Sequence, residues 1–168
     1  EESCDVPTVH TVSLLANWFL FGSETEPAPP LTLRAGPLRL LYEPASGFVH
    51  RVCLGQHEVL RGIYAAVRDR NWGMVPGILR ETRREIAADS FHLEFESEHR
   101  QGDIHFVWHG SIRGDSNGVL FYELNGQARI AFLRNRVGFC VLHPIRECAG
   151  ALACQTRVEG SLVEGRFP

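Results

Sequence analysis

Two arginines lie at the start of an apolar stretch near the end of the chain, and a histidine lies at its end. Arg134 and Arg136 are two residues apart, so their side chains share one face of a strand. Paired guanidinium groups can hold a carboxylate or the hydroxyls of a sugar acid, while a salt bridge to Glu123 or Asp103 is the structural alternative. His143, which precedes a proline, could be an acid, a base or a donor to a ligand, or could bond a backbone carbonyl in the core.

A second candidate site is the loop at residues 68–73, which combines a carboxylate, two guanidinium groups, an amide and an indole. Carbohydrate sites use this mixture, because hydroxyl groups need hydrogen bonds and the C–H face of a sugar packs on a flat ring. Asp69 and Trp72 are therefore candidate substrate-binding residues, although a loop held by an Asp–Arg pair explains the same residues. The sequence has no G-x-S-x-G elbow and no motif that fixes a pair of carboxylates, so it assigns no catalytic residue.

Two sets of potential metal ligands have simpler interpretations. A zinc site can be drawn from Cys140, His143, Cys148 and Cys154, but residues 140 and 143 point to opposite faces of a strand. Four histidines follow the alternating polar pattern of adjacent strands, which indicates a solvated sheet face: His92, His99, His105 and His109. We expect neither a metal nor another cofactor.

The five cysteines form an odd set without a CxxC pair. Cys140 lies inside the apolar stretch, so the favoured interpretation is reduced thiols in a cytoplasmic protein. A disulfide between Cys148 and Cys154 is the alternative.

The stretch Val137–Leu142 must position the arginines and the histidine. Its residues are apolar or small on both alternating faces, which is typical of a strand covered on both sides, and Gly138 would allow another backbone to come close. The sequence therefore predicts a central strand here.

Short strands alternate with turn signals from Leu31 onward, and this spacing predicts an all-β, antiparallel two-sheet β-sandwich. The segment at residues 78–88 has a helix-favouring composition but also alternates acceptably, and we interpret it as a strand. The predicted strands are residues 38–43, 48–54, 58–60, 62–69, 78–88, 91–96, 103–113, 119–124, 137–142, 154–158 and 162–164.

Length and composition indicate one domain of 168 residues with an ordinary core. Residues 1–30 form an N-terminal segment with a proline-rich connector, and residues 31–168 form the sandwich; residues 13–21 could be helix or strand. The apolar run at residues 12–22 is too short to cross a bilayer, and a formal charge of -3 favours neither nucleic acid nor anionic lipid as a partner. The abrupt end at Pro168 suggests a piece of a longer polypeptide.

Several ordered motifs resemble one family over nearly the whole chain. They are WFLFG at residues 18–22, LRAGPL at 33–38, VLRGIYAAVRDRNWG at 59–73, RNRVGFCVLHP at 134–144 and EGRFP at 164–168. Together they resemble the amino-terminal region of the bacterial D-apionate lactonases.

This resemblance implies a cytoplasmic enzyme that opens D-apionolactone to D-apionate and is built from an amino-terminal β-sandwich, a TIM-type barrel and a carboxy-terminal β domain. The barrel is the expected place of catalysis. The chain would then be the sandwich alone and inactive by itself, with a sugar lactone or sugar acid and the barrel of the same polypeptide as its partners. The alternatives are a carbohydrate-binding module of the galactose-mutarotase type, without catalysis, and a purely structural domain.

Overall fold

The computed structural model describes residues 16–20, 24–26 and 28–167. Residues 16–20 are helical and expose Trp18, Phe19 and Leu20; residues 13–15 and 21, the rest of the segment whose type was left open, lie outside the described residues. The described part of the proline-rich connector has no regular structure. No helix within the described ranges has the length and apolar character needed to span a bilayer.

The described chain is built from two large antiparallel sheets, which confirms the predicted all-β sandwich. The first sheet has the order β1-β2-β3-β4-β9 and the second has the order β5-β6-β7-β8. A short helix, Ile145–Cys148, and a separate hairpin of β10 and β11 follow. The strands are β1 (Leu31–Ala35), β2 (Leu38–Glu43), β3 (Phe48–Leu54), β4 (His57–Asp69), β5 (Gly77–Ile86), β6 (Phe91–Gln101), β7 (Ile104–Gly114), β8 (Leu120–Ala128), β9 (Arg134–Leu142), β10 (Leu152–Thr156) and β11 (Leu162–Arg166).

Most of the predicted strands are present, including the ambiguous segment, which forms β5. The strands predicted at residues 58–60 and 62–69 are one continuous strand, β4. The predicted strand 154–158 begins and ends two residues earlier, at Leu152–Thr156.

Strands β6 and β7 form the centre of the second sheet, and their inward-facing residues alternate with outward-facing ones. Every second residue is buried from Phe91 to His99 in β6 and throughout β7, and the two strands pair in register along their whole length. Burial of such a face against a second sheet is the main source of sandwich stability. At the middle of this core Phe95 is fully buried and packs edge-to-face on Trp108 with 5.2 Å between ring centroids.

The turn between β2 and β3 brings the two sheets close together. Gly47 has φ +71°, and a Cβ placed on it would lie 2.8 Å from the ring of Phe95, so glycine is required for both the turn and the packing. Its carbonyl oxygen accepts a 2.8 Å hydrogen bond from the Tyr122 hydroxyl on β8. This turn therefore fixes the distance between the sheets near the pocket described below.

The prediction that Val137–Leu142 is a central strand covered on both faces is wrong. The strand β9 pairs only with β4 at the edge of the first sheet, and none of its residues is buried within the described structure. Val137 packs against the core and Phe139 lies 4.8 Å from Tyr122, whereas Val141 remains 48% exposed. Apolar residues on both faces of β9 predicted that it is covered, but a sequence pattern does not show which elements lie against a strand.

Candidate functional site

A pocket of about 390 Å³ opens beside the turn between β2 and β3 and takes its walls from both sheets. This volume lies in the range of small-molecule sites. The first sheet contributes β2, β3, β4 and the turn between β2 and β3, the second contributes β5, β6 and β7, and the connection from β4 to β5 supplies the rest. The lining residues are Glu43, Ala45, Ser46, Phe48, Tyr64, Ala65, Met74, Val75, Pro76, Gly77, Leu79, Ser97, His99 and Trp108.

Three buried side chains form a hydrogen-bonded floor to this pocket. His99 is 6% exposed and Ser97 is 4% exposed, and both lie on the inner face of β6. The Nε2 atom of His99 lies 3.0 Å from Nε1 of Trp108 and 3.1 Å from Oγ of Ser97, while its Nδ1 lies 2.9 Å from the carbonyl oxygen of Val75. We call Ser97, His99 and Trp108 the pocket floor.

The partners of His99 determine its tautomer. An indole N–H can only donate, so Nε2 must accept from Trp108; a carbonyl can only accept, so Nδ1 must carry the proton that bonds Val75. Protonation at Nε2 would place two N–H groups against each other. Burial also lowers the pKa of His99, although its bond to the Val75 carbonyl opposes that effect. The ring is therefore neutral and fixed.

The Ser97–His99 pair resembles a nucleophile and its base, but the arrangement does not support that chemistry. A general base needs a free lone pair to take the serine proton. The single Nε2 lone pair of neutral His99 already accepts from Trp108, so Ser97 can only share it. The oxygen of Ser97 receives no hydrogen from any described residue and faces the pocket as an acceptor.

A carboxylate and two aromatic rings surround the mouth of the pocket. Ser46 Oγ donates to Oε2 of Glu43 at 3.1 Å and accepts from the backbone N–H of Phe48 at 3.2 Å. Phe48 packs edge-to-face on Tyr64 with 5.7 Å between ring centroids. Among the described residues that line the pocket, Glu43 alone is charged at neutral pH.

Sequence reasoning missed this site because it placed His99 on a solvated face with His92, His105 and His109. That placement is wrong for His99, which is buried. The signal was present in the numbering: His99 has the parity of Phe91 and the other inward-facing residues of β6, whereas position 92 has the opposite parity. Phe95 is the last apolar inward-facing residue of β6. Continuing the alternation by two more steps, to residues 97 and 99, identifies Ser97 and His99 as inward-facing.

The predicted loop site follows the C-terminal end of β4, just before the pocket-lining residue Met74, and is organised by its own backbone. Oδ1 of Asp69 accepts hydrogen bonds from the backbone N–H groups of Asn71 and Gly73, both at 2.8 Å, and Arg68 donates to the carbonyl of Trp72. Trp72 is 59% exposed with φ +69°, a conformation that costs a residue with a Cβ roughly 1–2 kcal/mol. Asp69 thus holds the loop, and the strained Trp72 presents its indole to solvent.

The predicted arginines lie beside this loop. In the β4–β9 ladder Arg134 is the register partner of Asp69, and Arg136 is the partner of Arg68. Both arginines are exposed, and neither forms an ion pair with any described residue; the predicted partner Glu123 binds Arg113 instead. Arg136 makes one weak contact, at 3.7 Å, with the sulfur of Cys140.

His143 lies apart from the other predicted residues. It follows the far end of β9, so roughly 30 Å of strand separates it from Arg134. It is exposed, and its ring lies 4.9 Å from the ring of Phe167. The structure therefore brings Asp69, Trp72 and the two arginines to one end of the sheet and His143 to the other.

Comparison with known proteins accounts for the motifs that run through this fold. Residues 18–168 match the family described as "D-apionate lactonase, N-terminal domain". The chain belongs to this family. A curated relative, the D-apionate lactonase of Brucella anthropi, is 28% identical over 152 residues, which is 90% of the chain and 25% of the relative. The chain thus spans about a quarter of the length of that relative, and no solved structure matches it.

The described residues of this chain include no grouping of three or more His, Cys, Asp or Glu side chains suited to a metal ion. The cysteines of the predicted zinc set are free thiols, as is Cys53. Of the features described in this domain, the pocket floor is the one with buried and directed polar groups.

Proposed function

We propose that this chain is the amino-terminal β-sandwich of a sugar-acid lactonase that hydrolyses D-apionolactone to D-apionate, and that it supports a catalytic barrel outside these 168 residues. The observation that carries the proposal is the family match over residues 18–168. The coverage of a quarter of the Brucella anthropi relative leaves room in such a protein for a further domain.

The site chemistry of the described residues supports an accessory role. Lactone hydrolysis needs a water that attacks the ring carbonyl, a carboxylate or histidine that takes its proton, and donors that stabilise the oxyanion. The buried histidine of the pocket floor has no lone pair to spare for this purpose. Asp69 already accepts two backbone hydrogen bonds. We therefore place the acid–base groups of the reaction outside this chain.

We propose that β9 and the loop beside it form the surface that packs on the catalytic domain. Among the described residues one edge of this strand is unpaired; Val141 within it is 48% exposed, and Leu133 just before it is 67% exposed. Arg134 and Arg136 lie beside Leu133, at the end of β9 away from Val141, and form no ion pairs among the described residues. Unpaired guanidinium groups beside apolar surface suit either a carboxylate of the catalytic domain or an oxygen-rich substrate at its rim.

The proposed compartment is the cytoplasm. The four described cysteines are unpaired, although two of them, Cys148 and Cys154, lie only six residues apart. Free thiols fit a reducing compartment.

The test uses the complete gene that encodes this segment. Its product should contain a further domain and should hydrolyse D-apionolactone, measured by the release of one proton per turnover in a weakly buffered solution. The 168-residue chain alone should release none above the uncatalysed rate. A complete product that leaves D-apionolactone intact, or an isolated chain that is fully active, would contradict the proposal.

A further inference from the structure

We propose that the pocket beside the turn between β2 and β3 is a binding site for an uncharged polyhydroxy ring of monosaccharide size, and that it accepts a sugar lactone but rejects the corresponding sugar acid. Met74 and Val75 of its lining directly follow the loop at residues 68–73, but no residue of that loop and neither arginine of β9 lines the pocket. The choice of a lactone as ligand rests on the proposed function, whereas the preference for an uncharged ring rests on the pocket itself.

The pocket floor offers a hydrogen-bond acceptor that no described residue satisfies. Trp108 and Ser97 compete for the one lone pair of His99, and His99 has no hydrogen to return to Ser97. Ser97 is a buried residue that lines the pocket, so its oxygen keeps its accepting capacity on the pocket side. Ser97 Oγ already bonds His99, and its free lone pairs can accept a further hydrogen from the hydroxyl of a ligand.

The walls suit the C–H faces of a sugar ring. Most of the pocket surface is apolar, and Trp108, Phe48 and Tyr64 contribute aromatic rings. Such rings pack well against the C–H groups of a carbohydrate, while a few polar groups fix its orientation. A volume of about 390 Å³ accommodates one monosaccharide ring with ordered water.

The charge of the pocket discriminates between a lactone and its acid. Glu43, whose Oε1 lies 3.4 Å from Nε2 of His50, is the one carboxylate among the described lining residues. No Lys or Arg lines the pocket, and the Nε2 of His99 accepts from Trp108, so the lining itself offers no cation to an incoming carboxylate. Opening of a lactone ring converts a neutral ester into a carboxylate. Repulsion by Glu43 should weaken binding of the acid by about tenfold or more.

The same geometry implies binding without chemistry. Because the lone pair of His99 is engaged by Trp108, Ser97 is not activated as a nucleophile. A lactone bound here should be released unchanged.

Ligand-observed saturation-transfer NMR on the 168-residue chain tests the proposal with two matched pairs of probes. They are D-apionolactone with D-apionate, and D-galactono-1,4-lactone with D-galactonate. We expect saturable binding of at least one lactone, and at least tenfold weaker binding of its acid. No saturable binding of either lactone, or equal binding of lactone and acid, would overturn the proposal.

Matched variants locate the site. Ser97→Ala should weaken lactone binding about tenfold, the effect of one hydrogen bond of about 1.4 kcal/mol. Ser111→Ala removes the other hydroxyl that lies near a histidine nitrogen, 3.4 Å from His92 on the opposite face, and should leave binding unchanged. Equal effects of the two variants would overturn the assignment.

Blocking the mouth provides a test that leaves the core intact. Ala45 is exposed and lines the pocket, so Ala45→Trp should abolish binding, whereas Ala88→Trp, at an exposed position that does not line the pocket, should not. Glu43→Gln should reduce the preference for lactone over acid, and Glu123→Gln, on β8, should not. Retained binding in Ala45→Trp or retained preference in Glu43→Gln would contradict the proposed site.

The outcomes separate this inference from the proposed function. If the complete enzyme hydrolyses D-apionolactone but the 168-residue chain binds no lactone, the proposed binding site is wrong and the proposed function stands. A chain that binds a lactone at this pocket while the complete gene product hydrolyses none would overturn the function and leave the pocket standing.

Discussion

The pocket floor and the β9 edge both carry polar side chains, but they satisfy them in opposite ways. At the pocket floor each nitrogen of His99 has a defined partner, and the residues around it are almost fully buried. At the β9 edge Arg134 and Arg136 are exposed and have no ion pair within the described chain. A polar side chain inside the core needs a hydrogen-bond partner from the protein, whereas an exposed one on the edge is solvated by water and is free to bind another domain or a ligand. The first region should therefore affect stability, and the second should affect association or substrate binding.

The largest expected difference between the two regions comes from removal of an aromatic ring. Phe95→Ala removes a fully buried ring that contacts Trp108 and Tyr122, and should lower the free energy of unfolding by about 3–5 kcal/mol. Phe139→Ala removes a half-buried ring on β9 and should cost roughly half as much. Urea denaturation followed by tryptophan fluorescence measures both. Equal losses would show that β9 is as well packed as the core.

A glycine next to the pocket floor gives the second largest effect. A Cβ on Gly77 would lie 2.6 Å from the His99 ring and 2.7 Å from Oγ of Ser97, so Gly77→Ala should cost about 1–3 kcal/mol through overpacking. Gly165→Ala is the control, because a Cβ there meets nothing within 4 Å. Its stability should change by less than about 0.5 kcal/mol. If both variants unfold at the same urea concentration, the floor is less tightly packed than described.

The dependence of stability on pH tests the neutral state of His99. Its pKa is lowered in the folded chain, mainly by burial, while the unfolded chain should show the ordinary value of about 6.5. The unfolded state therefore binds more protons below that pH, so the stability linked to His99 is fully present above about pH 6.5 and is lost as the pH falls.

Urea denaturation at pH 7.5 and 5.5 measures this loss. The His99→Gln chain should lose less stability between these values than the unmodified chain, because it lacks the buried titrating ring. His109→Gln, which changes an exposed histidine on β7, should behave like the unmodified chain. The same loss in all three chains would mean that His99 is not held neutral by its surroundings.

The smallest effect on stability is expected at the arginines of the β9 edge. Arg134→Ala and Arg136→Ala should each change the free energy of unfolding by less than about 0.5 kcal/mol, because neither side chain is ion-paired in the described chain. In the complete enzyme Arg136→Ala should raise the KM for the lactone roughly tenfold, as expected for one lost charge-assisted hydrogen bond. Arg146→Ala, on the short helix, serves as the control. An unchanged KM would show that Arg136 does not contact the substrate at the edge of the catalytic domain.

The amino-acid sequence by itself determined the strands and most of their turns. The alternating pattern and its spacing predicted strands at residues 91–96 and 103–113, which are β6 and β7 of the structure. The turn after β7 is held locally by Asp115, whose Oδ1 accepts backbone hydrogen bonds from Asn117 and Val119. The ordered motifs also predicted the family, which the match over residues 18–168 confirms. These features are local, because side-chain parity and turn chemistry depend on neighbours along the chain.

Only the tertiary structure decided which face of which strand is covered. The apolar β9 is an edge strand because it pairs with one neighbour, β4. The number of strands that pair with a given strand depends on how the sheet assembles and is not encoded in the local pattern of apolar residues. His99 is fixed and neutral because Trp108 and the carbonyl of Val75, nine and twenty-four residues away, meet it at the pocket floor. Burial and hydrogen-bond pairing between distant segments arise only when the sheets pack, and they separate a paired core histidine from an unpaired surface arginine.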